Sequence, residues 1–338
     1  MESEAAVNFT QAVIDLHPCY EIDHFSYKLT SSPSVICVIL YFFLALLSVI
    51  TVCGNLLVII SIAYFKQLHT PTHSLILSLA VADLLVGIVV FPLSMAFSLS
   101  SCLFYEGLLC KVRDSFDITL STCSIMNLCC ISVDRYFAVC QPLMYRTKIN
   151  QRVVVVMIVV SWGISALIGI GVIIAGLNDD KCEGSCFIDI LMANTIGPTV
   201  SFYFPVIIML CIYLKIFLVA QRQARSIQMA AKCAAAVSKM ERKSTKTLAT
   251  VLGVFLCCWT PFFLCITFLP FTSSPIPVPV IETLNWLTLS NSMLNPFIYA
   301  FFYQWFRSAF KIIVSGQIFQ ATTFSRTLDR NGRLEMVL

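Results

Sequence analysis

Four charged residues stand where charge is most costly. Asp83, Asp117, Asp134 and Arg135 each lie inside, or at the end of, a long apolar run. A carboxylate taken out of water must be paired, hydrogen-bonded or neutralised, so each is a site hypothesis with a partner to be found. For Asp117 a cationic ligand is a natural partner, and a structural aspartate is the alternative. Asp83 needs partners inside the bundle, and a protonated, hydrogen-bonded carboxyl is one way to meet that need. Arg135 follows Asp117 by about five helical turns and adjoins Asp134. It reads either as a functional charge or as a snorkelling interfacial one. Trp259, Phe262 and Phe263 share one apolar run, where an aromatic is most often simple core. No positioned nucleophile or metal set suggests an enzyme. No Cys/His pattern has zinc spacing, and no structural metal is expected.

The elements that hold these groups are long and greasy. The chain has 338 residues, 58% hydrophobic and 12% charged, with a net charge of +4 and a mean hydropathy of +0.87. A soluble domain carries roughly a quarter charged residues, so much of this chain's solvent must be lipid. A net charge this small gives no reason to expect nucleic acid. Spanning about 30 Å of hydrocarbon takes roughly 20 apolar residues. Seven runs qualify, at 34–64, 73–98, 108–138, 152–175, 191–219, 246–270 and 279–302. The expected fold is all-α, a seven-transmembrane helix bundle. Gln304–Val314 adds a short amphipathic helix with Trp305, Phe306, Ala309, Phe310 and Ile313 on its apolar face.

Loop charges set the orientation. Arg146, Lys148 and Arg152 separate runs three and four; Arg222, Arg225, Lys232, Lys239, Arg242, Lys243 and Lys246 separate runs five and six. Glu2, Glu4, Asp15, Glu21, Asp23, Asp179, Asp180 and Glu183 fall on the other side. The positive-inside rule puts the N-terminus outside and the C-terminus in the cytoplasm. The expected layout is a leader over 1–33, a receptor domain over 34–303, the amphipathic helix over 304–315 and a tail over 316–338. Residues 1–30 lack the basic start and apolar core of a cleavable signal. Asn8-Phe9-Thr10 is a glycosylation sequon in that leader. Nine of the sixteen cysteines lie within apolar runs, where cysteine behaves as a small hydrophobe.

In order, the runs carry Gly54-Asn55, Leu79-Ala80-Val81-Ala82-Asp83, Asp134-Arg135-Tyr136, Trp162, Pro205 with Tyr213, Cys258-Trp259-Thr260-Pro261, and Asn295-Pro296-Phe297-Ile298-Tyr299. This ordered set resembles the rhodopsin-like (class A) G-protein-coupled receptors across essentially the whole membrane portion. The resemblance implies a sodium ion at Asp83, Ser124, Asn291 and Asn295 as the one ion expected, with no other cofactor. It implies a switch in which Arg135 is locked by Asp134 and Glu241 and released toward Tyr213 and Tyr299. Ile125, Pro205 and Phe255 would be the packing switch beneath Trp259. It also implies a disulfide from Cys110 to Cys186.

A narrower resemblance is to the trace amine-associated receptors. Phe65-Lys66-Gln67-Leu68-His69-Thr70-Pro71-Thr72, Glu241-Arg242-Lys243, and the stretch from Asn291 to Phe306 carry it. A second disulfide, Cys19 to Cys182, is a trait of that group, and would leave Cys102 unpaired. The resemblance makes Asp117 the ammonium anchor and places Trp259, Phe262, Phe263, Ile118, Ile188, Asn285 and Ser201 around the ligand. Leu289 stands where a tyrosine usually bonds the anchor, and Gly197 and Pro198 stand where catecholamine receptors place serine.

Glu282 lies two turns outward from Leu289, an axial offset on the order of 10 Å. It reads as a second carboxylate for a diamine or polyamine, or as a solvated glutamate at the pocket lip. Asp114, one turn outward from Asp117, is a further acidic candidate. The expected function is an olfactory amine receptor in the plasma membrane, signalling through a stimulatory G protein and cyclic AMP as the resemblance implies. A serotonin- or catecholamine-type receptor is the alternative, and a transporter a more distant one. No repeated halves or broken helices favour the transporter.

Overall fold

The computed structural model describes residues 20–23, 26–29, 35–99, 108–177, 197–229, 235–268, 278–315, 326–328 and 334–336. Two small antiparallel pairs lie outside the helices: β1 (Tyr20–Asp23) with β2 (Ser26–Leu29), and β3 (Arg326–Leu328) with β4 (Leu334–Met336). The described residues between them are helical apart from short connections.

The first crossing is α1 (Val35–Tyr64). The second opens on a cap: Pro71 begins α2 (Pro71–Leu85), and Thr70 Oγ1 accepts from the His73 amide. It then passes through a π turn at Val86–Val90, where the Phe91 amide bonds to the Val86 carbonyl, into α3 (Phe91–Leu99). The third is α4 (Leu108–Cys140), followed by a short α5 (Pro142–Lys148) with proline at its first turn. The fourth is α6 (Gln151–Leu177). A second π turn, Thr199–Tyr203, leads into α7 (Phe204–Met229), the fifth. The sixth and seventh are α8 (Ala235–Phe268) and α9 (Val278–Phe302), and α10 (Gln304–Val314) closes the series. The face where α1 begins is called upper below, and the face carrying Arg135 lower.

Six stretches are long and apolar enough to cross a bilayer: Tyr41–Tyr64, Pro71–Met95, Val112–Cys140, Gln151–Gly171, Thr199–Arg222 and Thr250–Phe268. α9 is the seventh crossing and the polar one. Its Thr288, Asn291, Ser292 and Asn295 are turned into the bundle, where they are buried. The outside of the bundle is the reverse. Val38, Phe42 and Phe43 on α1 and Val156, Val159 and Leu167 on α6 are exposed. In water that would be an aggregation surface; against acyl chains it is at home.

Lipid is as apolar as leucine, so the helices are held by packing and by polar contacts across them. Trp162 Nε1 on α6 donates to Ser78 Oγ on α2 at 3.0 Å. Gly54 lets α1 approach α9: a Cβ there would lie 3.0 Å from the Pro296 ring carbons. The lower core joins Val58, Ile62 and Phe65 to Tyr299, Phe306, Ala309 and Ile312. The middle joins Ile125, Phe202, Met209, Phe255, Trp259 and Phe263. The upper joins Leu44, Val86, Phe91, Leu120 and Leu289.

Two expectations need adjusting. The sixth helix begins at Ala235 and not near 246, because hydropathy registers only its lipid-embedded part and the charged turns before it are helical too. On α10, Phe306, Ala309 and Ile312 pack inward while Phe310 is 41% exposed. The stripe against α1 is thus narrower than the apolar face, and Phe310 lies on its flank.

Candidate functional site

Three carboxylates on the crossing helices organise the interior, one at each level. Asp134, at the lower end of α4, is fully buried. Arg135 Nη2 lies 3.0 Å from its Oδ2. Thr72 Oγ1 donates to the same oxygen at 2.9 Å, and the Tyr145 hydroxyl donates to Oδ1 at 2.8 Å. Thr72 and Tyr145 are themselves 3.1 Å apart. The short helix α5 presents this tyrosine, and burial pushes its phenol above the ordinary range, so it remains a donor at neutral pH. Asp134 is thereby a fixed anion that holds Arg135 along α4.

The groups expected around Arg135 are distributed as follows. Tyr213 on α7 accepts from Ser132 Oγ at 3.3 Å. Tyr299 is buried in the lower core beside Phe306. Tyr136 is partly buried, with Lys215 Nζ 6.0 Å from its ring centre. Glu241 is on α8, and its side chain lies outside the described residues. In sequence Thr72 has no role beyond its place in a loop motif, and Tyr145 is not singled out; both sit in loop-adjacent polar sequence that no apolar run highlights.

Asp83, on α2 near mid-bundle, is 0% exposed. Ser124 Oγ from α4 donates to Oδ1 at 3.0 Å, Ser292 Oγ from α9 donates to the same atom at 2.8 Å, and Asn295 Nδ2 donates to Oδ2 at 2.7 Å. Of the expected set, Ser124 and Asn295 are therefore in contact with it. Ser292, which the sequence reading missed, takes a place there, and Asn291 is not among the donors. Asn55 ties the cluster to α1, its Nδ2 donating to the Ser292 carbonyl at 3.0 Å. Asn291 is buried, and its Oδ1 has no hydrogen-bond donor.

Asp117 lies higher on α4 and is only partly buried. Among the described residues its hydrogen-bond donor is Ser121 Oγ, one turn below on the same helix, at 3.1 Å. Directly above it in the chain, Arg113 pairs with Asp114. Ser115 Oγ anchors this part of α4 to the Gly169 carbonyl of α6 at 2.9 Å. The close approach needs the missing side chain, since a Cβ on Gly169 would collide with Thr119.

Aromatic rings from the Thr199–Tyr203 π turn and α8 form one stack in the middle cluster. Phe263 lies flat on Phe202, with centres 4.1 Å apart, and Trp259 follows at 5.9 Å from Phe263. Phe262 meets Phe263 edge-on, and Phe255 lies beneath Trp259. Ile125 packs in the same cluster, and Pro205 is buried just before Val206 of it. Trp259 Nε1 is buried with no acceptor. Phe202 was not anticipated; only its spacing from Pro205 could have flagged it. Ser201 is satisfied within its own helix, donating to the Gly197 carbonyl at 2.7 Å. Ile118 and Asn285 are partly buried, and Leu289 is buried against the Phe91–Trp286 pair.

Several expected residues fall elsewhere. Asn8, Cys19, Cys182, Cys186 and Ile188 lie outside the described residues, as do the side chains of Cys110 on α4 and Glu282 on α9. Among the described residues no group of three or more His, Cys, Asp or Glu is arranged to hold a metal ion.

Residues 54–299 match the family described as 7 transmembrane receptor (rhodopsin family). Trace amine-associated receptor 1 of Macaca mulatta is 45% identical over 300 residues, covering 83% of this chain and 89% of the relative. Trace amine-associated receptor 4 of Mus musculus is 39% identical over 331 residues, covering 92% and 94%. Trace amine-associated receptor 2 of Homo sapiens is 40% identical over 294 residues, covering 84% of each.

Proposed function

This chain belongs to the rhodopsin family of seven-transmembrane receptors, and from that premise we propose that it detects small amines, with Asp117 as the group that binds the ammonium. It is a multi-pass membrane receptor and not an enzyme, and its matched relatives bear the name of trace amine-associated receptors. The observation that carries the ligand reading is the state of Asp117. It is a carboxylate in a membrane span, partly accessible, with one neutral donor among the described residues. A charged group so placed gains much from a cation, and the ring stack of Phe202, Phe263 and Trp259 would offer faces to its alkyl and ammonium parts.

The finer assignment is an olfactory receptor for diamines or polyamines. Asp117 takes one ammonium and Glu282, about 10 Å further up, takes the other. The N-terminus faces outward at the plasma membrane, with Asn8 glycosylated and Cys110–Cys186 and Cys19–Cys182 crosslinked. Asp83 with Ser124, Ser292 and Asn295 suits a sodium ion, a hard cation served by oxygen ligands. The partnerless Asn291 Oδ1 supports that fit, being a buried acceptor on the same helix as Ser292 and Asn295. Asn291 and the two hydroxyls would add lone pairs to the carboxylate.

Binding acts by shifting populations. An ammonium held on Asp117 against Trp259 favours the arrangement in which α8 swings outward and Arg135 leaves Asp134 for a stimulatory G protein, raising cyclic AMP. A ligand achieves this only through its different affinity for the two arrangements. The test is cyclic AMP in cells expressing the chain, across monoamines, diamines and polyamines, with Asp117→Asn and Glu282→Gln alongside. Loss of diamine responses in both variants supports the two-carboxylate site. Monoamine responses that depend on Asp117 alone reduce Glu282 to a lip residue and favour a monoamine receptor. A normal response in Asp117→Asn rejects the amine reading.

A further inference from the structure

One turn above Asp117, α4 carries two opposite charges side by side. Arg113 donates to Asp114 Oδ1 through both Nε and Nη2. The two side chains are largely withdrawn from solvent, at 17% and 12% exposure. Adjacent residues point about 100° apart around a helix, so this is not the pairing that helical spacing favours. The favoured pair is Arg113 with Asp117, four residues on and about 6 Å along the axis. A guanidinium spans that offset easily, and its fork fits a carboxylate in two-pronged fashion. The charges of Arg113 and Asp114 both act on Asp117. Yet Asp117 Oδ1 takes its hydrogen bond from Ser121 on the side away from Arg113.

We propose that Asp114 is a positioning residue that holds the Arg113 guanidinium off Asp117, and so keeps that carboxylate open to an amine. The inference rests on Asp117 being the ammonium anchor. The physical argument is competition. A cation withdrawn from water needs an anion, and with Asp114 neutralised Asp117 is the carboxylate that helical spacing offers Arg113 among the described residues. A guanidinium tethered one turn away acts at high effective concentration and displaces a soluble ammonium. Asp114 is thus not a second ammonium site, because its charge is already engaged.

The test uses the purified full-length receptor and reads the thermal shift produced by 2-phenylethylamine, 1,5-diaminopentane and spermidine, which does not depend on G-protein coupling. Asp114→Asn is expected to raise the half-saturating concentration of the best of these amines about ten-fold or more, and Arg113→Gln in the same chain to return it to near the starting value. Rescue by removing a second charge is not what lost packing would give. An unchanged Asp114→Asn, or a double variant as weak as the single one, overturns the proposal. Should Asp114→Asn fail to fold, Arg113→Gln alone decides: affinity must be kept or improved, and a ten-fold loss overturns the proposal. Asp117→Asn separates the two levels. If it binds as the unaltered protein does, or if no amine shifts the unaltered protein, the anchor reading fails and this inference with it. If Asp117→Asn abolishes binding while Asp114→Asn does not alter it, only this inference falls.

Discussion

Asp83 and Asp117 are both aspartates on membrane-crossing helices, and their surroundings are opposite. Asp83 is sealed from solvent and accepts from Ser124, Ser292 and Asn295, donors drawn from two other helices. Asp117 is partly accessible and among the described residues accepts from Ser121 of its own helix. One carboxylate joins α2, α4 and α9; the other, among the described residues, has no hydrogen bond across the bundle. Charge in a membrane is a liability that a protein either cross-links internally or leaves for an arriving partner, and this chain does both within a single bundle.

The largest effect that can break this contrast is on ligand response. Asp117→Asn keeps the shape and removes the charge. Losing one member of a desolvated charge pair costs about 2–5 kcal/mol, so amine potency should fall by about thirty-fold or more in a concentration–response series. A shift under about three-fold would erase the distinction. The next effect is on stability, and the order of the two sites reverses. Asp83→Leu strands three buried donors at about 1–3 kcal/mol each and should lower the detergent melting temperature far more than Asp117→Leu. Equal losses would mean that Asp83 is not a cross-link. The smallest effect is Ser121→Ala. One neutral hydrogen bond to a charged group is worth about 1.5–3 kcal/mol at most, shared here between the free and bound states. Potency should therefore move by less than about ten-fold, and a change as large as that of Asp117→Asn would make Ser121 the anchor's equal.

The crossings were legible because hydropathy accumulates along a run, and a 20-residue signal survives local noise. Asp83, Asp117 and Arg135 were legible for the same reason, as charge against an apolar background. What escaped was transverse. Ser292 and Thr72 are small hydroxyls that composition cannot tell from helix-surface residues; their role appears only once another helix is brought alongside. Asn291 and Ser292 both lie within reach of the face set by Asn295, at four and three residues' distance, so spacing alone could not choose between them. Tyr145 depended on the fold of a connecting segment, α5, whose seven residues carry no periodic pattern strong enough to announce it. Phe202 looked like one aromatic among many until the π turn at Thr199–Tyr203 brought it flat against Phe263.

Those π turns have a consequence for how this chain tolerates change in length. Each closes a five-residue step, Val86 to Phe91 and Thr199 to Phe204, where a regular helix would close four. Each therefore stores one residue of slack. Deleting a residue within Val86–Val90 should draw the turn tight while leaving Ser94 on its present side. The same deletion in a regular stretch such as α6 would turn everything beyond it by about 100° and present the wrong flank to lipid. The second and fifth crossings are thus the places where the chain can be shortened by one residue and stay in phase.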